Sequence, residues 1–237
     1  MKSKAVLVAN NYAGTEAELR GCENDARALK EILVSRLGFR EEDVEVRTDV
    51  TRDALLRALS DLAATARSES LDLAFFSYSG HGCSVPDRSG DESDHMDEAV
   101  YCSDKRLVLD DEITAALKMF PAHCRVRAIM DCCHSGTIFD LPYVWPARVP
   151  DRSAAGGEWS ADVMMLSGCM DSQTSADAYD ASRRKYMGAL TSAFLDNVGH
   201  VGNASALLTG IRKTLARRRM AQRPVLTSTR PGATRFM

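Results

Sequence analysis

Residues 71–82 read Leu71-Asp72-Leu73-Ala74-Phe75-Phe76-Ser77-Tyr78-Ser79-Gly80-His81-Gly82. A short, nearly continuous apolar run bounded by small residues is the signature of a strand buried on both faces, the kind found inside parallel sheets. Residues 71–78 form such a run, and it stops abruptly at Ser79-Gly80-His81-Gly82, where flanking glycines let the chain turn and display an imidazole. Residues 125–130 repeat the pattern and run into Asp131-Cys132-Cys133-His134-Ser135-Gly136. Two buried strands, each ending at a reactive side chain, place a thiol and an imidazole at strand ends that can be neighbours.

Working outward, Ala5-Val6-Leu7-Val8-Ala9, closed by Asn10-Asn11, predicts another buried strand; residues 43–47 and 161–167 predict two more. Helices are expected at 22–37, where Ala26, Leu29, Ile32 and Leu33 recur at helical spacing before Gly38, and at 51–66 behind a Thr or Asp cap. Two more are expected near 111–119 and 188–197. Residues 84–98, polar and rich in Gly and Asp, and residues 141–157, with three prolines and a Gly pair, read as loops. Strands alternating with helices imply an α/β fold with a mostly parallel central sheet flanked by helices. Functional groups in such sheets gather at the carboxyl ends of the strands, and both candidates fall there. One domain is expected over residues 1–237.

With 30 Lys and Arg against 33 Asp and Glu, the net charge of -3 leaves no basic footprint, so no nucleic-acid partner is expected. Seven cysteines form an odd set without framework spacing, and no signal-peptide pattern opens the chain, so reduced thiols and a cytoplasmic location are expected. The apolar runs fall short of the roughly 20 residues a membrane helix needs, so no membrane association is expected.

A thiol attacks as the thiolate, and at a free pKa of about 8.5 little of it is ionised near neutrality. A neighbouring imidazole at His81 remedies this by taking the proton of Cys133 and later passing it to the leaving amine. Backbone N–H groups at Gly82 and Cys133 are the natural donors to an oxyanion. A lone cysteine is more often a small buried hydrophobe, and a lone histidine a structural residue. Their joint placement at strand ends among glycines favours catalysis. A zinc site is disfavoured, because Cys132-Cys133-His134 lacks a second spaced pair.

At these residues the chain resembles the metacaspases, caspase-like cysteine peptidases of plants, fungi, protists and some bacteria. Tyr78-Ser79-Gly80-His81-Gly82 is similar to their histidine motif, and Asp131-Cys132-Cys133-His134-Ser135-Gly136-Thr137 to their nucleophile motif, which implies Cys133 rather than Cys132 as nucleophile. Similarity continues through Asn11-Tyr12, Gly21-Cys22-Glu23-Asn24-Asp25, Gly90-Asp91-Glu92, Asp97-Glu98, Asp110-Asp111-Glu112 and Asp140-Leu141-Pro142-Tyr143. It resumes at Ser167-Gly168-Cys169, Gln173-Thr174-Ser175-Ala176-Asp177 and Gly188-Ala189-Leu190-Thr191. The resemblance implies a caspase-like three-layer sandwich, with residues 1–145 as the half bearing the His/Cys dyad and 158–237 as the smaller half. A type I-like member without a prodomain is expected. Where the family commonly has a glutamine a few residues after its histidine, Gly82 of this chain leads into Cys83-Ser84-Val85.

Asp131 lies two residues before the candidate nucleophile, and Asp25 follows the loop after the first strand, so both can line a pocket beside the thiol. Two carboxylates there would select a cation. The resemblance assigns Cys22, Asp25, Ser79 and Asp131 to a pocket for substrate Arg or Lys; as a plainer alternative, Asp25 is a charge complementing a helix N-terminus. The acidic run 91–98 and Asp110-Asp111 concentrate oxygen ligands suited to Ca²⁺, which takes about six to eight. By the resemblance Asp94, Asp110, Asp111 and Asp140 are the expected ligands, with Asp97 less firmly placed; a solvated acidic surface is the alternative. The expected function is a calcium-activated cysteine endopeptidase acting as a monomer on protein or peptide substrates after Arg or Lys. The alternative is a catalytically silent scaffold of the same fold that binds basic peptides. Arg148, Arg152 and Arg183-Arg184-Lys185 are candidate self-cleavage sites.

Overall fold

The structure, a computed structural model, describes residues 1–86, 96–133, 138–145, 149–150, 158–168, 177–231 and 235–237, with backbone alone at 149, 150 and 177. Five strands predicted or nearly predicted by their apolar runs form the parallel part of the sheet: β1 (Ser3–Ala9), β2 (Val44–Thr48), β3 (Leu73–Ser79), β7 (Arg125–Asp131) and β10 (Asp162–Ser167). Their order across the sheet is β2-β1-β3-β7-β10. The sheet then continues through β13 (Val225–Ser228), β8 (Tyr143–Trp145) and β9 (Val149–Pro150), which pair antiparallel.

Side chains alternate along a strand, so each strand divides its residues between two cores. On one face Val6, Val8, Phe76, Tyr78, Val126, Ala128, Met130, Val163 and Met165 pack under α2 (Arg52–Ser68) and α3 (Asp110–Lys118). On the other, Ala5, Leu7, Leu73, Phe75, Ile129, Met164 and Leu166 pack under α1 (Cys22–Ser35), α4 (Ala189–Asp196) and α5 (Ala204–Arg217). This is the expected three-layer α/β sandwich. Parity also fixes the sheet edge: Asp131 shares the α1/α4 face with Ile129, whereas Cys132 turns into the α2/α3 core.

Helix ends follow their local chemistry. Thr51 caps α2 by accepting the Ala54 N–H. α1 stops at Ser35, two residues before its expected end; Gly38 takes φ +77°, and the Leu37 and Phe39 N–H groups return to the Ile32 and Leu33 carbonyls.

Two expected loops are corrected. Within 84–98, β4 (Gly82–Pro86) and β5 (Met96–Tyr101) join β6 (Leu107–Leu109) in a three-stranded antiparallel sheet, while 87–95 lie outside the described residues. Within 141–157, β8 and β9 extend the main sheet instead of looping over the surface. A hairpin of β11 (Asp177–Asp180) and β12 (Lys185–Gly188) leads into α4. Neither α5 nor β13 is among the expected elements. α5 buries Leu207, Leu208, Ile211 and Leu215, each worth about 2 kcal/mol. Among the described residues no helix is long and apolar enough to cross a membrane.

Candidate active site

β3 and β7 are paired so that Ser79 stands opposite Asp131. Two residues beyond each lie His81 and Cys133, so the register delivers both to the same edge. The Gly80 N–H approaches the Asp131 carbonyl at 3.4 Å, and a Cβ at Gly82 would run into the Cys133 carbonyl oxygen, so the two turns abut. Neither Gly80 nor Gly82 adopts a positive φ; at Gly82 the missing side chain serves close approach rather than the sharp turn expected from sequence. Cys133 is 6% exposed, and the His81 ring is partly exposed.

The His81 Nε2 lies 2.8 Å from the Ala17 carbonyl oxygen. A carbonyl only accepts, so Nε2 carries a proton here, and in the neutral ring the lone pair is then on Nδ1. Cys83, where the family commonly differs, sits close enough that burial first and then Cys133 push its thiol pKa up, which keeps it protonated.

Beside these turns, Asp25 on α1 and Asp131 on β7 are 0% and 3% exposed. Asp25 accepts the Ser79 hydroxyl at 2.6 Å and the Gly188 N–H at 2.9 and 3.0 Å; Asp131 accepts the Thr191 N–H at 2.8 Å. Gly188 separates the two acids, for a Cβ there would collide with the Asp131 carboxylate and stand 2.7 Å from Asp25 Oδ2. Cys22 is buried one turn before Asp25. The structure therefore gathers Asp25, Ser79 and Asp131 around one glycine, with Cys22 on the same helix. Asp25 spends its oxygens on the sheet and on β12 rather than only complementing its own helix end. The Thr191 hydroxyl is buried without a hydrogen-bond partner among the described residues.

Of the expected calcium ligands, Asp94 lies outside the described residues. Asp110 is buried at the start of α3, where its oxygens accept the Glu98 and Asp111 N–H groups at 2.7 and 2.8 Å. Burial raises its pKa to about 6 against those hydrogen bonds, and the Asp97 and Asp111 carboxylates add to the rise. Asp140, at φ +46°, accepts the Thr114 hydroxyl at 3.2 Å. Among the described residues no three metal-capable side chains converge. The donors present are hard oxygens in mutual repulsion, which suits a divalent cation in chemistry, and the expected set is complete only with Asp94.

Of the self-cleavage candidates, Arg148 and Arg152 lie outside the described residues. Arg183 is engaged by Asp180 at 2.7 Å and Asp196 at 2.9 Å, while Arg184 is exposed in the hairpin turn at φ +56°.

Residues 2–234 match the caspase domain family. Metacaspase-1 of Mycosarcoma maydis is 34% identical over 97% of this chain and 71% of its own length. The chain belongs to the metacaspases. Metacaspase-1 of Cryptococcus neoformans is 32% identical over the whole of this chain, which spans 64% of that relative's length. Among solved structures, a Geobacter sulfurreducens protein superposes with a TM-score of 0.68 at 26% identity, covering 99% of this metacaspase chain and 97% of that one. The Drosophila initiator caspase Dronc superposes at 0.59 with 12% identity, covering 98% and 81%, which shows the caspase-like fold.

No sequence pattern assigns a role to Ala17, Tyr12, Gly188 or Thr191 of this metacaspase. Ala17 acts through its backbone, which no side-chain pattern reveals. Gly188 and Thr191 sit in a matching motif, but only the tertiary structure shows their amides on the two acids.

Proposed function

We propose that this domain is a cysteine endopeptidase cleaving after Arg or Lys. His81 takes the Cys133 proton at Nδ1, and the thiolate attacks the scissile carbonyl carbon. The Gly82 and Cys133 N–H groups stabilise the oxyanion. Collapse forms the thioester and breaks the C–N bond, the amine leaving with the proton from His81; water, deprotonated by the same imidazole, then hydrolyses the thioester. The observation that carries this reading is the register of Ser79 opposite Asp131, which sets the His81 turn against the carbonyl of Cys133.

The preference for a basic side chain is supported by two buried carboxylates, Asp25 and Asp131, flanking Gly188 beside that turn. The unmatched Thr191 hydroxyl offers a further acceptor to a guanidinium or ammonium. Cys22 and Ser79 complete the pocket wall. Asp94, Asp110, Asp111 and Asp140 are the residues that would hold Ca²⁺, which would supply neutralisation of their charge.

Fluorogenic Arg, Lys and Asp peptides assayed with chelator or millimolar calcium test the proposal. Arg and Lys peptides should be cleaved and the Asp peptide not, with calcium raising the rate and Cys133→Ala abolishing it. Equal rates with chelator would discard calcium activation. Binding of the Arg peptide without turnover would leave only a scaffold.

A further inference from the structure

We propose that Tyr12 and Tyr78 are positioning residues for the His81 imidazole, a pair of buried phenols that grip both sides of its peptide. The inference rests on the reading of His81 as acid and base. The His81 N–H donates to the Tyr12 hydroxyl oxygen at 2.9 Å, and the Tyr78 hydroxyl lies 3.1 Å from the His81 carbonyl, which also accepts the Tyr101 N–H at 3.0 Å. Both hydroxyls converge on the Tyr101 carbonyl at 2.7 Å and stand 3.0 Å apart. Tyr12 spends its one proton on the Tyr101 carbonyl and keeps a lone pair for the His81 N–H, while Tyr78 has one proton to share between the His81 and Tyr101 carbonyls.

The Tyr12 ring adds a second hold, its centroid 5.0 Å from that of the imidazole at an interplanar angle of 32°. The hydroxyls fill the space next to Gly80: a side chain there would start 2.7 and 2.8 Å from the Tyr78 and Tyr12 oxygens. Tyr12 and Tyr78 are 4% and 1% exposed, and burial raises both phenol pKa values, so both remain neutral donors. Tyr12 reaches this place at φ +53°, a conformation that costs an L-residue free energy. It is pinned there by its N–H on Asp49 Oδ1 at 2.8 Å and by the Thr15 hydroxyl on its carbonyl at 2.7 Å. Five residues on, the same loop supplies the Ala17 carbonyl that holds Nε2. The loop between β1 and α1 thus fixes the ring nitrogen, the ring face and the peptide of one histidine. Misplacing a catalytic group by about 1 Å can cost about a hundredfold in rate, which gives such a grip its use.

The test compares Tyr12→Phe, Tyr78→Phe, His81→Ala and the Tyr12→Phe/His81→Ala double variant. The readouts are kcat and KM on an Arg peptide, the pH midpoint of Cys133 alkylation by iodoacetamide, and thermal melting to count folded protein. Tyr12→Phe keeps the ring but loses the acceptor; kcat per folded molecule should fall about tenfold with KM within about twofold, and the alkylation midpoint should rise. Tyr78→Phe should lose less, about threefold in kcat, because Tyr101 still holds the His81 carbonyl. In the His81→Ala background Tyr12→Phe should cost nothing further. Unchanged kcat and midpoint in both phenol variants, or losses explained by unfolding, or an equal loss in the His81→Ala background, would each overturn the positioning role while the dyad stands. If His81→Ala itself alters neither kcat nor the midpoint, the acid/base reading fails and the positioning role falls with it.

Discussion

The carboxyl ends of β3 and β7 lie side by side in register, yet they are held in different ways. Past β3, His81 is held chiefly by hydrogen bonds from other segments, Ala17 at its ring, Tyr12 at its N–H and Tyr101 at its carbonyl, with Tyr78 of β3 itself adding a contact to that carbonyl. At the end of β7, side-chain alternation does the work, turning Asp131 toward α4, where it accepts the Thr191 N–H, and sinking Cys132 in the opposite core. On the proposed mechanism, the imidazole that would move protons is oriented largely from outside its own strand, whereas the acid of the proposed pocket is oriented by the alternation of the strand that carries it. The histidine end should therefore be sensitive to distant hydrogen bonds, and the cysteine end to changes on its own strand.

The largest expected effect lies at the histidine end. His81→Ala should lower kcat on an Arg peptide by about a thousandfold with little change in melting temperature; steady-state kinetics and calorimetry check both, and a merely structural histidine would show the reverse. Next comes the acid of the cysteine end. Asp131→Asn should lower kcat/KM for an Arg peptide by about a hundredfold and lessen discrimination against an uncharged residue at the cleavage site. Asp25→Asn should act in the same direction, and a loss equal for charged and uncharged peptides would remove the pocket from the comparison.

The smallest effect on activity is expected from an acid outside both ends. Burial would push Asp180 up, but the hydroxyls of Ser182 and Ser192 and the guanidinium of Arg183 more than offset it and hold its pKa well below the carboxylate range. A depressed carboxylate pKa stabilises the fold above the unfolded value near about 3.9, and that stabilisation is lost as pH falls through the folded value. Asp180→Asn should therefore cost about 3 kcal/mol at pH 7, converge with wild type in strong acid, and leave kcat within about twofold. Denaturant melts across pH measure it.

How much of this was legible in the sequence follows from burial. β1, β3, β7 and β10 are covered on both faces, so their sequences are largely apolar, with the buried Arg127 interrupting β7, and their limits lie within two residues of expectation. β5 hides because Asp97 and Glu98 are buried inside it, which breaks the apolar pattern of a strand. β8 hides because three residues between prolines are too few for a period to show. α5 carries readable signals, an Asn203 cap on the Ala206 N–H and apolar residues at helical spacing, although no helix is expected there. His81 and Cys133 stand out as candidates because each follows a buried strand directly. Tyr12 does not, since its contact with His81 spans 69 residues of chain and leaves no local trace.

The proposed mechanism requires one sulfur, that of Cys133, to be made nucleophilic by the histidine of the adjoining strand end. Treating the protein with an arginyl chloromethyl ketone and mapping the adduct by mass spectrometry identifies that sulfur. A single adduct on Cys133, formed far more slowly in His81→Ala, is expected. Labelling of Cys22, Cys83 or Cys132 in its place, or labelling of Cys133 at an undiminished rate without His81, would contradict it.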